Sequence, residues 1–111
     1  MKLFNASHLE VKAFFKENFQ THPYEAGWAT ECIFFIMVEE LSGKNPMLTA
    51  EVELSHDGIN WAKEGTISDP ITKKGLHFVR VSHFGNWLRL NGHIGGENPL
   101  FKLNIQIALK G

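Results

Sequence analysis

Ser55-His56-Asp57 holds the three side-chain types of a hydrolytic triad in one short stretch. A serine nucleophile needs an imidazole on its hydroxyl and a carboxylate behind that imidazole. Three consecutive residues of an extended chain point alternately to opposite faces, so they do not converge on one proton path. Two carboxylate pairs, Glu39-Glu40 and Glu51 with Glu53, have the composition of an acid/base couple. Such a couple needs surroundings that push its two pKa values apart. Nothing nearby in the sequence does so, and both pairs read as a solvated face. Six histidines (His8, His22, His56, His77, His83 and His93) are scattered, without metal-ligand spacing beside a cysteine or carboxylate cluster. Whether His77 and His83 meet other side chains is left to the fold. Gly43-Lys44 and Gly95-Gly96 make no phosphate loop, because no Gly-Lys-Ser/Thr follows a strand. Arg80 and Arg89 sit inside strand patterns and either cross a sheet edge or reach a partner subunit. Cys32 stands alone in an apolar run, which reads as a buried thiol. The expectation is a chain with no catalytic residue, metal or cofactor.

The strongest local motif is Ser55-His56-Asp57-Gly58-Ile59-Asn60-Trp61. Asp57-Gly58 supplies a positive-φ turn. Ser55, Asp57 and Asn60 carry short polar side chains that bond nearby backbone groups. Trp61 then drops onto the sheet edge. The alternative use of this turn is a glycan site, with Trp61, joined by Trp28 or Trp87, as the stacking platform.

The elements that must position these residues are written twice. Gly43-Lys44-Asn45-Pro46 leads into Met47 to Leu54, and Gly96-Glu97-Asn98-Pro99 into Leu100 to Ile107. An apolar run precedes each, Cys32 to Leu41 and Trp87 to Ile94. Each unit reads as strand, turn, strand, with Gly43, Asn45, Pro46, Gly96, Asn98 and Pro99 as turn formers. Leu48, Ala50, Val52 and Leu54 alternate with polar residues, as do Phe101, Leu103, Ile105, Ile107 and Leu109, the mark of half-buried antiparallel strands. Leu76 to Ser82 is a further strand. Leu9, Val11, Ala13 and Phe15 favour a strand over a helix that Ser7-His8-Leu9-Glu10 would cap. Residues 18–30 read as loop, and residues 1–30 as an N-terminal arm or extra strand. Seven or eight strands at short spacing predict an antiparallel β-sandwich, jelly-roll-like, with two pseudo-repeated hairpins. Residues 32–38 are apolar on both faces. A sandwich strand hides one face, so the N-terminal segment or a second subunit must cover the other. Phe34, Phe35 and Ile36, with Arg89, are the candidate interface.

The 111 residues make one domain of ordinary globular composition, 43% apolar and 21% charged. A net charge of −1 argues against nucleic acid and anionic membrane as partners. The charge is split between the halves: residues 1–53 are acid-rich and residues 54–111 base-rich. Head-to-tail complementarity between copies is one reading of that split. No stretch reads as a signal peptide, and none reaches the ~18 apolar residues of a membrane helix. A chain made in the cytoplasm and held there until assembly is expected. Asn5-Ala6-Ser7 matches a glycosylation sequon and is given no weight without a secretory signal.

Leu41-Ser42-Gly43-Lys44-Asn45-Pro46-Met47-Leu48, Ser55 to Trp61, Gly85-Asn86-Trp87-Leu88-Arg89 and Gly95-Gly96-Glu97-Asn98-Pro99 follow one another in a familiar order. Over residues 31–111 the chain resembles short β-sandwich proteins encoded among the structural genes of tailed bacteriophages and prophages. Those proteins commonly have Thr or Ser where Asn45 and Asn98 stand here. The resemblance implies a virion structural or accessory component, a capsid decoration or a neck or tail part, that self-associates and docks on a capsid or tail protein. A weaker resemblance, through Ser55 to Trp61 and Phe78-Val79-Arg80-Val81, is to discoidin-like carbohydrate-binding jelly rolls, and implies a glycan partner.

Overall fold

The computed structural model describes residues 4–82 and 84–111. It is all-β: β1 (Phe4–Phe15), β2 (Phe19–Gln20), β3 (Tyr24–Glu25), β4 (Glu31–Ser55), β5 (Ala62–Ile67), β6 (Gly75–Ser82) and β7 (Trp87–Lys110). Every ladder is antiparallel. The N-terminal segment therefore joins the sheet as a strand, not as the competing helix.

β4 and β7 pair along their whole length, from Glu31↔Lys110 to Ser55↔Trp87. The expected hairpins are not present as such. Leu41 pairs with Phe101 and Leu48 with Ile94, so the two runs of each repeat bind the other repeat and not each other. Each Gly-x-Asn-Pro segment is a kink inside one long strand. Gly43 has φ 110° and Gly96 112°; Asn45 has 50° and Asn98 48°. These left-handed residues break the register between Ser42 and Lys44 and between Lys44 and Met47. A strand of the length of β4 would run to ~80 Å if straight, whereas the molecule measures 45 × 28 × 20 Å. Both long strands must therefore fold over, and the kinks are where they do so.

The pair Lys44↔Glu97 lies at the centre of a local two-fold. Around it Ser42↔Leu100 is matched by Met47↔Gly95, and Leu41↔Phe101 by Leu48↔Ile94. Folding over gives two sheets. The first orders β6, residues 31–38 of β4, residues 101–110 of β7 and β1. The second orders β5, residues 48–55 of β4, residues 87–95 of β7 and the short β2 and β3. Between β5 and β6 the chain stays on β4, through reciprocal bonds of Leu48 and Ile71 at 2.9 and 2.8 Å.

One core fills the space between. Cys32, Phe34, Ile36 and Val38 alternate inward from β4, and Phe101, Leu103, Ile105, Ile107 and Leu109 from β7. Leu48, Ala50, Val52, Leu88 and Leu90 close it from the second sheet. Each such aliphatic or aromatic side chain contributes roughly 1.5–3 kcal/mol. The period-2 pattern seen in the sequence is thus the inward face of both kinked strands. No helix among the described residues is long and apolar enough to cross a membrane.

Candidate functional site

The Ser55–Trp61 turn is built around Asp57. Its Oδ1 accepts from the Ile59 N–H at 2.9 Å, the Asn60 N–H at 2.8 Å and the Ser55 hydroxyl at 2.9 Å. Oδ2 accepts from Asn60 Nδ2 at 2.7 Å. The Ser55 oxygen in turn accepts from the Gly58 and Asp57 N–H groups at 2.8 and 3.2 Å. Gly58 has φ 79° and its Cα faces the Trp87 ring, which a Cβ would approach to 3.2 Å. Backbone N–H donation from Asn60 and Ile59 holds the Asp57 carboxyl well below its ordinary value of 3.8. Ser55 and Asp57 do converge here, because the chain turns between them instead of staying extended. His56 stands 3.6 Å from Asp57 and meets the carboxylate, not the hydroxyl. This is a turn lock, with the serine proton committed to Asp57.

The outer face of the second sheet is mostly polar, with Ile67 set against Glu51. Glu51 and Glu53, expected as a solvated pair, are only 7% and 9% exposed. They are covered by residues distant in sequence: Arg89 Nε reaches Glu53 Oε1 at 2.7 Å, and Lys63 and His93 approach Glu51 at 3.9 and 3.4 Å. Arg89 also lies over the Trp61 ring, 4.1 Å from its centroid. Arg89 therefore has a carboxylate and an aromatic partner within its own chain. Trp61, the candidate glycan platform, is half-buried with one ring face under that guanidinium. Glu51 and Glu53 of the acid-rich half thus meet Lys63, Arg89 and His93 of the base-rich half within one chain.

The outer face of the first sheet is different. Phe34 and Ile36, two of the candidate interface residues, are 0% and 1% exposed and belong to the core. Phe35 points outward with Ile33 and Met37, and β6 sets Phe78 beside Phe35 and Leu76 beside Met37. Phe78 is 53% exposed, Leu76 57% and Met37 38%. Arg80 leans on Phe78, 5.1 Å from the ring centroid. β1, part of one of the two expected covers, pairs edge-on with β7. The signal was present as the doubly apolar run; Leu76 and Phe78 were missed because only the ladder reveals that β6 adjoins it.

Other sequence candidates are dispersed. His77 Nε2 lies 3.1 Å from the Lys73 carbonyl oxygen, while His83 falls outside the described residues. Glu39 Oε2 is buried without a hydrogen-bond partner, at the register shift beside Glu40. Among the described residues no three metal-ligating side chains gather. A cleft of about 540 Å³ opens between the β5 and β6 edges, lined by Glu31, Glu64, Thr66, Arg80, Ser82 and Lys110 among others.

No family model matches the chain, and no curated protein matches it in sequence. Solved structures share its fold, among them the following two. The PBSX exported protein XepA superposes with TM-score 0.65 at 12% identity over 95% of this chain and 36% of XepA. The SPBc2 prophage-derived protein YomS superposes with TM-score 0.58 at 6% identity, over 100% of this chain and 96% of YomS. This chain thus spans about a third of the length of XepA. The fold that the phage resemblance implied is the fold observed, and it recurs in a prophage-derived protein of similar length.

Proposed function

We propose that this chain is a non-enzymatic virion structural or accessory protein, a capsid decoration or a neck or tail component. It acts by self-association and by docking on a larger assembly, after synthesis in the host cytoplasm. The observation that carries the reading is the contrast between the two outer faces. The second sheet covers Glu51 and Glu53 with its own side chains, whereas the first leaves Met37, Leu76 and Phe78 exposed beside a half-buried Phe35. Patches of that kind on a small soluble domain mark surfaces that meet another protein. Likeness to a prophage-derived protein and to the PBSX exported protein supports a phage-related role.

The test is peptide mass spectrometry on nuclease-treated, density-gradient-purified particles from the culture that encodes the chain. Many copies per particle beside the major capsid protein are expected, and copy number separates decoration from tail. Recovery only in the soluble cell fraction overturns the virion reading.

A further inference from the structure

The open edges of the two sheets are not equally protected. β1 breaks register twice against β7, between His8 and Glu10 and between Glu10 and Ala13. β2 and β3 are two residues each. β5 is short, carries Lys63, Glu64 and a Gly65 at φ 110°, and shifts register against β4. Short strands, bulges and charges are the usual means of keeping an edge from pairing. β6 is neither short nor bulged. Its eight residues, Gly-Leu-His-Phe-Val-Arg-Val-Ser, pair with β4 without a break from Ser82↔Glu31 to Gly75↔Val38. It contains no proline and one charged residue, Arg80. Among the described residues β4 is its sole ladder partner, so its other edge, which faces β5 across the cleft, carries no backbone ladder.

We propose that this edge pairs antiparallel with β6 of a second copy, joining two first sheets into one. The proposal rests on the self-association in the reading above and names its surface. The occupant follows from the charge pattern of the strand. An isologous contact places each residue against its two-fold mate. With the axis at Val79, Phe78 of each copy faces Arg80 of the other, and Leu76 faces Ser82. Arg80 already lies over Phe78 of its own chain, so the same guanidinium–ring contact is available twice across the axis. No like charges meet, and Leu76, Phe78, Phe35 and Met37 of both copies form one doubled apolar surface.

The test is sedimentation velocity on the full chain and two charge variants over about 5–200 µM, the range of a modest interface, together with disulfide trapping of two cysteine variants. Wild type is expected to dimerise. Phe78→Lys, at an exposed position, sets an ammonium against Arg80 of the other copy and should give a folded monomer. Phe78→Lys with Arg80→Glu should restore the dimer. Mixed Leu76→Cys and Ser82→Cys chains should form a heterodimeric disulfide under mild oxidation. A wild type monomeric throughout overturns the pairing and leaves the edge to a strand from another protein. A dimer that survives Phe78→Lys, or is not restored by the charge exchange, overturns the edge and register. Each of these results is independent of whether the chain is found in particles, so the two readings fail separately.

Discussion

Arg89 and Glu53 face each other across the β4–β7 ladder with 2.7 Å between Nε and Oε1, side chains 16% and 12% exposed. The pair is one strand-to-strand step in the sheet and 36 residues apart in the chain. Removing the arginine leaves a largely buried carboxylate without its partner. Arg89→Ala should therefore cost about 2–4 kcal/mol in urea unfolding, against less for Arg89→Ala combined with Glu53→Gln. Additive losses in that double-mutant cycle would show that the pair contributes little.

The two kink glycines give a second prediction. A Cβ on Gly43 would lie 2.5 Å from the Asn98 carbonyl oxygen, and one on Gly96 would lie 2.6 Å from that of Asn45. Both also hold φ angles that side chains resist. Gly43→Ala and Gly96→Ala should each cost about 2–4 kcal/mol, with similar values because the contacts are related by the local two-fold. Tolerance of alanine at either position in thermal melts would mean that the crossing of β4 and β7 relaxes easily.

Asp57 makes stability depend on pH. Its carboxyl is held below the ordinary 3.8 by N–H donors of the folded turn, so the folded state favours the ionised form. That contribution is fully present above the unfolded value and is lost as pH falls through the folded one. Melting temperatures of wild type and Asp57→Asn should therefore differ most above about pH 4 and converge on further acidification. A constant gap between pH 7 and pH 3 would contradict this.

Neighbouring phenylalanines should part company. Phe34→Ser removes a fully buried ring and should cost about 3–5 kcal/mol or prevent folding. Phe35→Ser acts on the outer face and should leave the melting curve nearly unchanged while weakening attachment to particles. Equal destabilisation by both would make Phe35 a core residue and remove the docking face.

Sequence and structure agree where the determinant is local. The alternation of Phe101 to Leu109 follows from one buried face, and every residue expected inside is inside. The Asp57 turn is likewise a matter of adjacent side chains and backbone. The Gly-x-Asn-Pro repeats were recognised but misassigned, since left-handed residues announce a change of direction without saying how large. Whether Leu41 returns to Leu48 or crosses to Phe101 depends on residues far along the chain. Glu51 and Glu53 fail for the same reason: their polar period is visible, but Lys63, Arg89 and His93 arrive only through the ladder.

The interlocking of the two repeats sets an order of events at synthesis. Among the described residues, β1, β2 and β3 find their ladders only on β7, and β5 and β6 only on β4. β1 thus waits for a mate made near the end of this sequence, while the apolar Cys32–Val38 run is already out. Such a chain cannot mature piece by piece. It should fold only once β7 has been made, and slowly, as expected for pairings between distant segments; during that interval its yield is at the mercy of aggregation and of whatever chaperone shields it.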